Sequence, residues 1–201
     1  MKIQDLGEKE LSGVFSLLKE TWYSDEENID PEVNDAKVTL DLDKVLCKSS
    51  WAKVVVDECE VKAVITARVN SETNNLGSLD NSWPEALLTI IKGSEQEKND
   101  YINYKLVENE KYSKMLKEHN ESDAEIVLFI VDPTFQGHGV GRKLFEECLE
   151  HFRQNQVKKF NLKTDSACNY NFYDHMGMTC VAQETIEADN DFTFFLYEGE
   201  I

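Results

Sequence analysis

No run of apolar residues in this chain approaches the ~20 needed to cross a bilayer, and the opening Met1-Lys-Ile-Gln-Asp-Leu-Gly7 has no apolar signal region. A membrane span and a secretory leader are therefore set aside. Positive charge is scarce: 21 Lys and Arg stand against 39 Asp and Glu, a formal charge of −18. Nucleic acid and anionic membrane surfaces would both be repelled. The five cysteines, Cys47, Cys59, Cys148, Cys168 and Cys180, are odd in number and lack metal-ligand spacing. That pattern points to a reducing, cytoplasmic setting with no metal, rather than a disulfide framework. No internal repeat is visible, and 201 residues can bury one substantial core, so a single domain over 1–201 is expected.

What the chain does have is a glycine-rich loop between two patterned segments. Glu125 to Val131 reads Glu-Ile-Val-Leu-Phe-Ile-Val; it is too short for a buried helix and rich in β-branched residues. With Asp132-Pro133 punctuating its end, it is expected to be a central strand. Val140, Leu144, Phe145, Cys148, Leu149 and Phe152 recur on one helical face. Between strand and helix lies Gln136-Gly-His-Gly-Val-Gly-Arg142. The first amides of a helix lack intrahelical acceptors and sit at the positive end of its dipole, so this order suits an anion. Gly137, Gly139 and Gly141 remove side chains that would keep a phosphate from those N–H groups. A dinucleotide fold would want Gly-x-Gly-x-x-Gly, but position 142 is Arg, and a P-loop would want Gly-Lys followed by Ser or Thr. Six cationic residues against three acidic ones from Gln136 to Lys163 make a basic island, and Arg142, beside the loop, is its candidate phosphate contact.

Read as Gln136-x-x-Gly139-x-Gly141, the loop resembles motif A of the GNAT acyltransferases, whose (Gln/Arg)-x-x-Gly-x-(Gly/Ala) loop binds the pyrophosphate of acetyl-coenzyme A. The resemblance runs over roughly 123–198, through a second strand at Lys159 to Thr164 and a helix around Asn169 to Met176 that ends at Gly177. There Phe172-Tyr173-x-x-x-Gly177-Met178 is similar to the family's Phe-Tyr-x-x-x-Gly-Phe, with Met178 for the last Phe. The resemblance implies an α+β, three-layer fold: a twisted mixed sheet flanked by helices, with a helical insertion at 71–122 between the third and fourth strands. The cofactor-binding half would be 123–198.

It also implies site residues. Gln136, Gly137, His138, Gly139, Val140, Gly141 and Arg142 would form the pyrophosphate loop. Backbone N–H groups of Phe129, Ile130 and Val131 would hold the pantetheine arm and polarise the carbonyl at a splay in the sheet. Tyr173 would protonate the leaving thiolate, as an alternative to plain helix packing beside Phe172, and Glu125 would be the general base unless it is a solvated strand end. Asn169 would contact pantetheine or a water, or else cap its helix. Cys168 has no paired base, and His138 and His175 have no metal spacing around them.

The rest of the chain suits such a fold. Leu11, Val14, Phe15, Leu18 and Trp22 mark a first amphipathic helix, and 36–48 a weaker second one. Residues 51–57 and 61–69 read as a hairpin about Glu58-Cys59-Glu60, and 179–187 and 192–198 as another about Asp189-Asn190-Asp191. Within 71–122, helices are expected at Glu85 to Lys92 and Glu95 to His119, after a mobile loop at 70–81. The insertion either caps the acceptor site with Trp83, Tyr101 or Tyr104, or covers a sheet face or subunit contact; a homodimer stays open. Trp22, Tyr23, Asp25, Glu26, Glu27, Asp30 and Glu32, between the first two helices, would suit a cationic amine or form a solvated loop. Two functions remain: an acetyl-coenzyme A-dependent N-acetyltransferase acting on a small or peptide amine, and a silent module that senses acyl-coenzyme A or binds a partner.

Overall fold

The computed structural model describes residues 1–24, 30–73, 76–79, 82–119, 121–186 and 192–201. Among these residues, seven strands form one mixed sheet, in the order β1 (Lys2–Asp5), β2 (Trp51–Asp57), β3 (Glu60–Val69), β4 (Ala124–Val131), β5 (Lys159–Asp165), β7 (Phe192–Glu200) and β6 (Thr179–Ile186). β4 and β5 run parallel, which requires a crossover, and α5 (Val140–Gln154) supplies it. Helices cover both faces. On one side α5 buries Val140, Leu144, Phe145, Cys148 and Phe152, the face its spacing predicts, against Ile65, Ile126, Phe160 and Leu162. On the other, α1 (Leu11–Trp22) and α2 (Pro31–Lys48) bury Leu18, Leu42 and Val45 against Val54, Val64, Leu128 and Ile130. Cover on both faces is why the inner strands are almost continuously apolar.

β4 departs from regular pairing in two places. The β3–β4 register passes from Thr66↔Leu128 to Ala67↔Ile126, leaving Val127 as the extra residue of a bulge. Ala124 and Ile126 consequently join the α5-side core, whereas Leu128 and Ile130 join the α1–α2 side and Phe129 and Val131 turn towards α5. A one-residue slip exchanges the faces. In addition, β4 pairs with β5 only over Ala124–Ile126 and Phe160–Leu162. Beyond Ile126 the two strands part.

Several boundaries differ from expectation for local reasons. α2 begins at Pro31, not near 36, because Asp30 caps it by accepting the Glu32 N–H at 2.8 Å and Pro31 fits a first turn. Asp30 and Glu32 therefore belong to a helix start; Asp25, Glu26 and Glu27 lie outside the described residues, as does the Asp189–Asp191 turn. β1 is an addition to the expected strands, since its four residues are too few to show alternation. The first hairpin turns on Glu58 and Cys59, both at positive φ (48° and 71°). The insertion forms α3 (Ser82–Lys92) and α4 (Glu95–Glu118) between β3 and β4, with Ser94 and Glu97 making a capping box. The described part of the 70–81 loop is tied to α2 and its end: the Leu76 N–H donates to the Ser49 carbonyl and the Leu79 N–H to Asp43 Oδ1, each at 2.8 Å. The physical reason is that backbone donors of a loop lying against the protein take the nearest acceptors.

Candidate functional site

Parting of β4 from β5 leaves one edge of β4 open. The Asp132 N–H donates to the Lys62 carbonyl at 2.8 Å, so alternation directs the Ile130 amide towards β3 and those of Phe129 and Val131 into the gap. The Gln136 side chain donates to the Val131 carbonyl at 3.3 Å on that open side. At the mouth of the gap, α5 begins with Gly139 as its cap at φ 75°, preceded by Gly137 at φ 77°. No atom lies within 4 Å of where a Cβ would stand on either, so the helix N-terminus faces open space. Gly141 serves packing as well: its Cβ would be 3.4 Å from Val131 Cγ2 and 3.5 Å from Phe129 Cζ. Val140 is buried and offers the site only its backbone. His138 is exposed, with Nδ1 3.0 Å from the Gln136 carbonyl oxygen. Arg142 Nε donates to Glu146 at 3.1 Å in an exposed pair; such pairs are weak, which leaves the guanidinium available to an anion.

Tyr173 stands in the short α6 (Asn171–His175), 8% exposed, with its ring against Phe172 and Tyr197 at 5.6 and 5.5 Å. Its hydroxyl lies by Thr164, at the far end of β5. Burial first, and nearby Cys168 and Asp165 next, push its pKa up. Gly177 at φ 83° ends the turn and Met178 is buried, so methionine fills the apolar position. The helix is shorter than its expected 169–176 span. Its cap is Tyr170, and Asn169 lies exposed in the preceding turn, its carbonyl accepting the Phe172 N–H at 3.2 Å. The Cys168 thiol is pushed up to about 11 by desolvation and then by Asp165, which disfavours the thiolate a nucleophile requires. His175 Nδ1 contacts the Asn171 carbonyl at 2.6 Å on its own helix. Among the described residues no grouping of His, Cys, Asp or Glu could hold a metal, and no helix is long and apolar enough to cross a membrane.

Glu125 is at the opposite end of β4 from the glycine loop and points to the α2 side. Lys48 Nζ is 2.5 Å and Lys163 Nζ 3.3 Å from its Oε1. Burial works to raise its pKa, but Lys163 and then Lys48 outweigh that and hold it below the usual range. A carboxylate kept charged by two ammonium groups is a weak base. Neither lysine was legible as a partner in the sequence, because one ends α2 and the other sits mid-β5. Of the insertion aromatics, Trp83 is 47% exposed at the start of α3, whereas the Tyr101 hydroxyl reaches Asp41 at 3.4 Å and Tyr104 packs near Phe192 and Phe194.

The sequence model of the Acetyltransferase (GNAT) family matches residues 101–178, which contain β4, the glycine loop, α5, β5 and α6. No curated protein matches the chain in sequence. Solved structures do match in fold. An agmatine N-acetyltransferase in its apo form superposes with a TM-score of 0.60 at 9% identity, covering 100% of this chain and 99% of that one. An aminoglycoside 6′-N-acetyltransferase complexed with coenzyme A gives 0.59 at 12% identity, covering 100% and 97%. A mosquito arylalkylamine N-acetyltransferase-like protein gives 0.58 at 13% identity, covering 100% and 99%. Within residues 101–178, where the loop motif lies, the chain is similar to the GNAT acetyltransferases, and it shares its fold with these solved structures.

Proposed function

We propose that this chain is an N-acetyltransferase, one GNAT domain over 1–201 working in the cytoplasm, which moves the acetyl group of acetyl-coenzyme A directly to an amine. The observation that carries this reading is the parting of β4 from β5 beside a helix N-terminus opened by Gly137 and Gly139. Acetyl-coenzyme A, when bound, supplies an activated thioester. The α5 amides, Gln136, His138 and Arg142 bind and orient its pyrophosphate, with Asn169 beside the arm. The amides of Phe129 and Val131, unpaired on the gap side, bind the arm and stabilise charge on the carbonyl oxygen, with Ile130 holding that edge in register. Tyr173 holds a proton at its hydroxyl. Since burial raises that phenol, its contribution is a hydrogen bond to the departing sulfur, followed by proton delivery replenished from solvent.

Glu125 is proposed as the base by its register alone. Its double ion pair lowers its basicity, and that favours a second reading, a silent module that binds acyl-coenzyme A without turnover. One experiment separates them: acetyl-coenzyme A is incubated with a panel of small and peptide amines while thiol release and cofactor binding are both followed. Acceptor-dependent thiol release supports the enzyme; tight binding with no release from any amine supports the silent module. Absence of binding removes both.

A further inference from the structure

Past Ile126 and Leu162, where β4 and β5 stop pairing, the two banks of the gap carry different chemistry. Phe129 and Asp165 each lie three residues beyond that last pair, so even with the bulge at Val127 they stand across the opening within about one residue of the same level. Strand alternation then sets the face. Phe160 and Leu162 belong to the α5-side core, which sends Lys163 and Asp165 to the α4 side and Thr164 to the α5 side. Phe194, the β7 partner of Asp165, agrees. Directly paired residues of antiparallel strands share a face, and Phe194 is buried among Tyr112 and Met115 of α4. Asp165 is therefore level with the amide that would polarise the thioester, on the face opposite the cofactor helix.

Its surroundings suit a base better than those of Glu125. Two lysines hold Glu125 charged, whereas among the described residues no cationic side chain comes within 4.0 Å of Asp165. Lys163, two residues back on the same face, is drawn to Glu125 at 3.3 Å and lies over the Tyr112 ring. Asp165 Oδ1 accepts the Ala167 N–H at 2.9 Å, and Cys168 of the same turn is the other group at the carboxylate. Tyr104 and Tyr112 face it from α4 and Tyr173 from α6. Burial first, with Glu108 next for Tyr104 and Cys168 next for Tyr173, lifts these phenols, and the charge of Asp165 adds to all three. Desolvation likewise raises Asp165 above the usual aspartate value, against the hydrogen bonds of its turn. Thr164 meets the Tyr173 hydroxyl, so the end of β5 places a proton donor on the cofactor face and a carboxylate on the other.

We propose that Asp165 is the general base of acetyl transfer, taking the proton of an acceptor ammonium that enters the gap on the α4 face. This rests on the acetyl-transfer reading above. The ammonium gives one proton to the Asp165 carboxylate, which passes it to solvent. The freed lone pair forms the C–N bond, and the C–S bond breaks with its electron pair left on sulfur. Sulfur takes its proton from the Tyr173 hydroxyl, and the nitrogen sheds a second proton to water, which restores that of Tyr173. Ammonium and thioester thus become amide and thiol with one proton released.

The test follows kcat/KM against pH with acetyl-coenzyme A, the full chain, and butylamine and phenylethylamine as probe acceptors. In the parent it should fall where Asp165 becomes protonated and level off above that, because the base accepts its proton from the ammonium form. Asp165→Asn keeps an oxygen for the Ala167 N–H and so should fold. It should lose about 100- to 10000-fold in kcat/KM, and its plateau should give way to a steady rise towards the amine's own pKa, since only free amine then reacts. Formate should restore rate to Asp165→Ala, which a packing role would not allow. Glu125→Gln should keep the plateau, whatever it does to the rate. A parental rate and plateau in Asp165→Asn, no rescue by formate, or loss of the plateau in Glu125→Gln instead overturns the inference and leaves the enzyme standing. A parent that releases no thiol with either probe or any amine of the panel overturns the acetyl-transfer reading and this inference with it.

Discussion

Gly139 decides whether the loop is an anion cradle or merely a turn. It caps α5 at φ 75° and ψ 5°, a left-handed conformation in which an L side chain costs about 1–2 kcal/mol. Nothing lies within 4 Å of its would-be Cβ, so Gly139→Ala adds backbone strain without a clash. At roughly 2–4 °C per kcal/mol for a chain of this size, the melting temperature should fall by about 2–8 °C. The added methyl would occupy the open side that a phosphate needs and turn the amides from it. Loss of one charge-assisted hydrogen bond, about 1.5–3 kcal/mol, should weaken acetyl-coenzyme A binding about 10- to 150-fold. Gly141 separates strain from space, because it is not among the positive-φ glycines and its Cβ would make contacts no closer than 3.4 Å. Gly141→Ala should therefore keep fold and affinity, while Gly141→Val should push its methyls into Val131 and Phe129. Thermal melts and calorimetric titration of the three variants make the comparison. A folded Gly139→Ala with parental affinity would refute the cradle.

Acetyl-coenzyme A at ~100 times its dissociation constant should stabilise the chain by about 2.7 kcal/mol, read as a rise in melting temperature, and no rise at millimolar cofactor would sink the cofactor assignment. Tyr173→Phe keeps the ring against Phe172 and Tyr197, so turnover should drop about 10- to 1000-fold with cofactor affinity little changed; a parental rate would make Tyr173 a packing residue. Glu125→Gln leaves Lys48 and Lys163 without their shared carboxylate and should cost about 2–4 kcal/mol, somewhat under a fully buried pair because the side chain is 19% exposed. Since the folded pKa of Glu125 is depressed, its stabilising share is present above the unfolded value of about 4.3 and is lost as pH falls through the folded value. The parent's melting temperature should therefore drop in that acid window by an increment that Glu125→Gln lacks; identical acid profiles would show that the clamp contributes nothing.

Much of this protein is local and was therefore open to reading from the sequence. The strand at 125–131, the face of α5 and the glycines at 137, 139 and 141 follow from period, punctuation and the backbone freedom of glycine, all of which act within a few residues. What acts at a distance was not. The bulge at Val127 arises from how β4 meets β3, and it decides which side chains face which core. The gap beside Phe129 and Val131 exists only because β5 diverges after Leu162. The lysines that clamp Glu125 come from α2 and β5. Charge pairing and desolvation depend on distances in space, which tertiary packing sets, so the sequence by itself placed the cofactor loop while only the folded chain showed that Glu125 is neutralised by Lys48 and Lys163.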